Sequence, residues 1–230
     1  MNLPDRSIIV VTIYLVDSWV LQCCESVIWM FTTYITLIWP DVCNFLQSQS
    51  SSEYNLFGIT ESQLDFRITD HSISIPDYHI IRRDPQLPRQ TGTAVSVYQS
   101  VQAITHRRKD LENDKIECFW LELKPHAHRP SQFVCYLYRN PAVTFEWYDS
   151  FVLMLDDVYK AINRADVLIL GNFNIDMLKP HSCWDSTLAL FYLAQLITSP
   201  TWTTPTSTSL IDHNYTTKCR RHYWCLRLKY

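Results

Sequence analysis

The residue pattern predicts a mixed α/β fold on three observations. Segments that alternate apolar and polar residues recur from residue 54 onward. One long segment carries apolar residues at helical spacing and leads directly into a short, fully apolar run. Polar residues fall repeatedly at the ends of the strand-like segments. Period-two alternation marks half-buried strands, and three- and four-residue spacing marks an amphipathic helix.

The elements follow in order. "NLFGITES" (55 to 62) reads as a short apolar strand ending at Glu61. "YHIIRRD" (78 to 84) and "TAVSVYQS" (93 to 100) alternate as strands do. "ECFWLELKP" (117 to 125) and "QFVCYLYRNP" (132 to 141) form an adjacent strand pair across a Pro/His turn. In the segment 144 to 164, Phe151, Leu155, Val158 and Ile162 define the apolar face of a helix. It delivers the chain to a strand at 167 to 170, "VLIL". That strand runs into Gly171, one of only three glycines, and then into Asn172, Asn174 and Asp176 at alternate positions. A second helix is expected over 186 to 196, capped by Asp185 or Ser186. A turn-rich stretch then leads to a strand that carries Asp212. No internal repeat is visible.

The remaining segments bound the function classes. A formal charge of −3 gives no overall electrostatic case for nucleic acid, so any case rests on Arg82-Arg83, Arg107-Arg108-Lys109 and the acid-free tail from Lys218 to Lys229. Short basic runs of this kind are also ordinary solvated surface. Eight cysteines without framework spacing read as reduced thiols of an intracellular protein, in the nucleus or cytoplasm. Cys219, His222 and Cys225 could supply three zinc ligands, but no fourth stands nearby.

Residues 7 to 40 are the most apolar part of the chain. Asp17 and Glu25 interrupt them, and an acidic residue at a membrane helix centre costs about 2.5–3.5 kcal/mol. Membrane association is therefore a minor alternative. The segment's β-branched and aromatic content favours strands. "QSQSSSE" (47 to 53) reads as a polar linker.

Polar residues at strand ends are where an α/β fold builds a site. Glu61, Tyr138, Asn172, Asn174 and Asp212 all stand there, and each alone has a bland reading as a cap or turn residue. Taken in order, "FGITESQLD", "ISIPDYHIIRRD", "LENDKIECFWLELKP", "YLYRNPAVTFEWYDSFVLMLDDV", "LILGNFNIDMLKP" and "LITSPTWTTPTSTSLIDHNYT" resemble the endonuclease/exonuclease/phosphatase superfamily. More narrowly, they resemble the endonuclease domain of non-LTR (LINE-type) retrotransposons. The resemblance covers about residues 54 to 217, in the family's order and approximate spacing.

The resemblance implies a four-layer α/β sandwich, with two packed mixed β-sheets flanked by helices, incomplete here at both ends. Residues 1–53 would be a divergent segment with a linker, 54–217 the domain, and 218–230 an unrelated basic tail. It also implies a Mg²⁺-dependent phosphodiesterase that nicks double-stranded DNA. Glu61 matches the family's metal-binding glutamate and Tyr138 the tyrosine that touches the phosphate. Asn174 matches the asparagine that orients nucleophile and phosphate oxygen, and Asp212 the aspartate that orients a catalytic histidine.

Two departures point to lost or impaired activity. Asn172 stands where the family has an aspartate, and an amide takes up no proton at neutral pH. The family's C-terminal Ser-Asp-His is absent, the chain ending instead in "KCRRHYWCLRLKY". Thr69-Asp70-His71 spells a similar tripeptide but reads as a surface loop, and His213 would point away from Asp212 on a strand. The alternatives are a non-catalytic nucleic-acid-binding domain and a retroelement relic without biochemical role.

Overall fold

The computed structural model describes residues 10–17, 28–32, 54–60, 67–74, 76, 78–83, 95–100, 105–124, 131–142, 145–162 and 165–217. The chain divides into two compact units, residues 1–103 and 104–230.

The first unit is a five-stranded sheet. Its strands are β1 (Val10–Asp17), β2 (Ile28–Thr32), β3 (Tyr54–Thr60), β4 (Tyr78–Arg83) and β5 (Val95–Ser100), in the order β2-β1-β3-β5-β4. Every pairing is antiparallel, whereas the resemblance implies a mixed sheet. β1 runs along β3 from Thr12 opposite Thr60 to Asp17 opposite Tyr54. The apolar N-terminal stretch thus supplies two strands to the sheet that contains residues 54–60. β3 is consequently an interior strand. Ile59 and Thr60 are buried, and Glu61 lies outside the described residues.

The second unit holds a six-stranded mixed sheet. It comprises β6 (Thr105–Arg107), β7 (Glu117–Leu123), β8 (Gln132–Tyr138), β9 (Asp166–Asn172), β10 (Ala194–Gln195) and β13 (Asp212–Thr216), in the order β10-β13-β9-β8-β7-β6. A separate ribbon pairs β11 (Trp202–Thr203) with β12 (Thr208–Ser209). β8 and β9 are parallel, joined by the helix α1 (Phe145–Ile162) that such a connection requires. The strand pair β7–β8 and the helix α1 stand where the sequence puts them.

The helix α2 covers Ser182–Leu190, earlier than the 186 to 196 expected. Its N-cap is His181, which makes no side-chain capping bond. Trp184, Thr187 and Leu188 are its buried residues, a three- and four-residue pattern that draws the start back. Tyr192, at φ 55, ends it.

α1 and α2 cover one face of the sheet. Cys118, Trp120, Cys135, Leu137, Ile169 and Tyr215 pack there with Trp147, Phe151, Leu155, Val158 and Trp184. The residues that alternate with these, among them Phe119, Val134, Tyr136, Leu170 and Asn214, are also buried. Gly171 sits in the middle of the sheet for a steric reason. A Cβ there would lie 1.8 Å from the backbone oxygen of Leu137.

Candidate active site

Strand register brings four polar residues into one row. Glu117 pairs with Tyr138, Tyr138 with Asn172, and Asn172 with Asp212. Residues paired across strands share a face, and neighbouring strands lie about 4.8 Å apart. The row therefore presents a carboxylate, a phenol, an amide and a second carboxylate along one end of the sheet. It occupies the face opposite α1. Tyr138, Asn172 and Asp212 are 5%, 3% and 0% exposed, so a group meeting them does so with little surrounding water.

Asn174 lies in the turn immediately after β9. Its φ of 50 is left-handed, a conformation that asparagine tolerates better than most residues. The Asn174 N–H donates to Asn172 Oδ1 at 3.0 Å, closing a turn through the side chain. Asn174 Nδ2 donates to the carbonyl of Arg139 at 2.7 Å. Tyr138, Asn172 and Asp212 are thus brought together, with Asn174 in the adjoining turn. Two residues that the sequence does not single out also stand here, Glu117 in the row and Arg139 beside it. Glu117 opens β7, and its strand partner Tyr138 is the only signal that could have found it. Arg139 directly follows Tyr138, in a motif that drew notice for the tyrosine alone.

Asp212 is anchored through its backbone, whose N–H donates to Thr201 Oγ1 at 3.1 Å. His213 faces the other way, as its strand position requires, and is fully buried. Its ring stacks on Phe173 at 4.8 Å. Trp184 Nε1 donates to the Tyr215 hydroxyl at 2.7 Å. Carbonyls can only accept, so the proton of the neutral His213 ring is on Nε2, and Nδ1 accepts from the Tyr215 hydroxyl, also at 2.7 Å. His213 Nε2 then donates to the carbonyls of Ile175 and Leu210, at 2.9 and 3.3 Å. This histidine ties the turn after β9 to β13 and does not serve as Asp212's partner in the row.

Burial lowers the His213 pKa to about 4, and the two carbonyl contacts offset only part of that. The unfolded chain binds this proton near pH 6.5 and the folded chain does not. Stability is therefore full above pH 6.5 and falls as pH drops from there towards 4, by about 3 kcal/mol in all. The urea midpoint should fall steeply from pH 7 to pH 4.5 in the native chain. In His213→Gln, which lacks the titrating ring, the fall should be shallower from a lower starting point.

Three arginines of the basic clusters are engaged internally. Arg107 forms a two-point pair with Glu112, both contacts at 2.8 Å, and lies over the Phe119 ring. Arg108 bonds Asp110 at 2.7 Å and Glu122 at 3.0 Å. Arg82 pairs with Asp70 at 2.8 Å. The tail from residue 218, with Cys219, His222 and Cys225, lies outside the described residues. Thr69, Asp70 and His71 are exposed in a 3-10 turn capped by Thr69, a surface feature as read from sequence. Among the described residues no group of three or more His, Cys, Asp or Glu side chains is arranged to hold a metal. No described helix is long and apolar enough to cross a membrane.

No protein-family model matches the chain, and a search of curated proteins finds no match either. Solved structures do match. An AP endonuclease from Leishmania major aligns with TM-score 0.63 at 10% identity, over 80% of this chain and 75% of that one. The endonuclease domain of TRAS1, a telomere-specific non-LTR retrotransposon, aligns with TM-score 0.51 at 13% identity, over 63% of this chain and 67% of that one. A mannosyl-6-phosphatase from Bacteroides thetaiotaomicron aligns with TM-score 0.53 at 15% identity, over 80% and 77%. At such identities the likeness concerns the fold. It is the α/β fold of endonuclease/exonuclease/phosphatase proteins.

Proposed function

We propose that this chain, which has that fold, derives from the DNA-nicking domain of a non-LTR retrotransposon and has lost most of its phosphodiesterase activity. The observation that carries the reading is the row Tyr138–Asn172–Asp212, with Asn174 in the adjoining turn. A phenol and an amide beside a carboxylate can engage the oxygens of a phosphodiester. The endonuclease neighbours support DNA as the polymer.

The same row explains the loss. Its central residue is an amide that can hold a phosphate oxygen but cannot accept the proton of an attacking water. Asp212's sequence neighbour His213 is on the opposite face, engaged with Tyr215 and two carbonyls. Loss of a general base typically costs about 10²–10⁴-fold. Glu61 would hold the Mg²⁺ that the fold implies, through the hard carboxylate oxygens that such a cation prefers. The ion would neutralise charge developing on the scissile phosphate.

The test is nicking of supercoiled plasmid by the purified chain with Mg²⁺, beside Glu61→Ala. The expected result is no more nicked circle from the native chain than from the variant. Robust nicking that Glu61→Ala abolishes would refute the claim of impairment. A purely electrostatic DNA-binding role has less support, because Arg82, Arg107 and Arg108 each pair with carboxylates of the chain itself.

A further inference from the structure

Arg139 stands one residue beyond Tyr138, so strand alternation turns its side chain to the helix-covered face, away from the row. It is 7% exposed. Its guanidinium lies over the rings of Trp147 and Tyr148, at 5.4 and 5.3 Å from their centroids. Nη1 donates to the carbonyls of Phe173 and Asn174, at 3.2 and 3.3 Å. The Arg139 backbone N–H donates to the Asn172 carbonyl at 2.8 Å, and its own carbonyl accepts from Asn174 Nδ2 at 2.7 Å. One residue thus bonds to all three members of the turn 172–174.

We infer that Arg139 is a positioning residue that sets the amides of Asn172 and Asn174 from the face opposite the ligand. The inference rests on the reading of the row as a phosphodiester site. The causal path is short. Nη1 draws the Phe173 and Asn174 carbonyls together, which favours the left-handed turn at Asn174. That turn brings the Asn174 N–H onto Asn172 Oδ1. The Asn172 amide is then fixed between Tyr138 and Asp212. A planar guanidinium can lie against two rings while one nitrogen serves two carbonyls. A lysine ammonium is a point charge on a flexible stem and cannot hold that geometry.

Binding of a short fluorescein-labelled DNA duplex to the full chain, followed by anisotropy at low salt with Mg²⁺, tests the inference. Arg139→Met and Arg139→Lys should each weaken binding by about tenfold, as coupled neighbours do. Tyr138→Phe should weaken it too, by removing a direct contact. Tyr159→Phe loses a hydrogen bond to the Phe191 carbonyl away from the row. It should lower Tm yet leave binding unchanged, separating positioning from loss of stability. Glycine adopts left-handed backbone freely, so Arg139→Met should add little to the defect of Asn174→Gly.

Should Arg139→Met fail to fold, Arg139→Lys keeps the charge and the stem and carries the comparison. Native-like binding by folded Arg139 variants, with Tyr138→Phe impaired, overturns the inference and spares the site. Full additivity with Asn174→Gly also overturns it. No binding by the native chain, or binding indifferent to Tyr138→Phe, overturns the site and the inference together.

Discussion

Gly171→Ala is expected to leave the chain unfolded, or to cost at least about 3 kcal/mol, the upper end of ordinary overpacking. The added carbon would fall 1.8 Å from the Leu137 oxygen and 2.7 Å from the Leu137 carbonyl carbon. Both are backbone atoms of a buried central strand, so no side chain can swing aside. β8 and β9 would have to separate along a ladder that runs from Gln132–Asp166 to Tyr138–Asn172. Strands flank them on both sides, so the shift cannot be confined to an edge. A loss of that size is a large part of the 5–15 kcal/mol that stabilises a typical domain. The clash also sits one residue from the Tyr138–Asn172 pair, and a partly folded variant should hold the row out of register. Circular dichroism and urea unfolding check this directly. A native-like midpoint would mean that the two backbones are not in forced contact.

The same glycine shows what the sequence made legible. A glycine after four apolar residues announced a constrained strand end, and the alternate polar positions after it announced a site. Apolar runs bounded by turn residues located β7, β8 and β9, which are buried on both faces, and helical spacing located α1, which buries one face. Tyr138, Asn172 and Asp212 could be tied together only by family resemblance, and register then supplied the physical reason. Other features carry no local signature. Arg107, Arg108 and Lys109 look like a basic patch, yet Arg108 meets Asp110 and the distant Glu122, fourteen residues away. The N-terminal strands read as strands, but nothing in residues 10–17 names β3 as their partner. α2 begins earlier than expected because Trp184 must be buried, a demand set by Tyr215 and Phe173 rather than by a capping residue. Glu61, the metal residue implied by the resemblance, lies outside the described residues.

Asn172→Asp should restore nicking with Mg²⁺ by about 10²-fold or more over the native chain, the lower bound for regaining a general base. The substitution is nearly isosteric. The Asn174 N–H now bound to Asn172 Oδ1 would meet a carboxylate oxygen instead, so the turn is kept and strengthened. The cost falls elsewhere, because the new carboxylate faces Asp212 across one strand spacing. Two like charges about 5 Å apart at an effective dielectric near 20 repel by roughly 3 kcal/mol. Repulsion raises the pKa of one member of the pair, so the folded variant holds a proton that the unfolded chain releases. Its stability relative to the native chain should therefore decline as pH rises through that raised pKa, and recover in acid. A divalent cation offsets the same repulsion. Mg²⁺ at pH 7.5 should then raise the Tm of Asn172→Asp well above any shift in the native chain, whatever the nicking assay reads. A Tm rise without nicking would mean that the cation binds beside residues 172 and 212 and that the remaining defect lies in another step. A variant insensitive to both pH and Mg²⁺ would mean that residues 172 and 212 do not share a site.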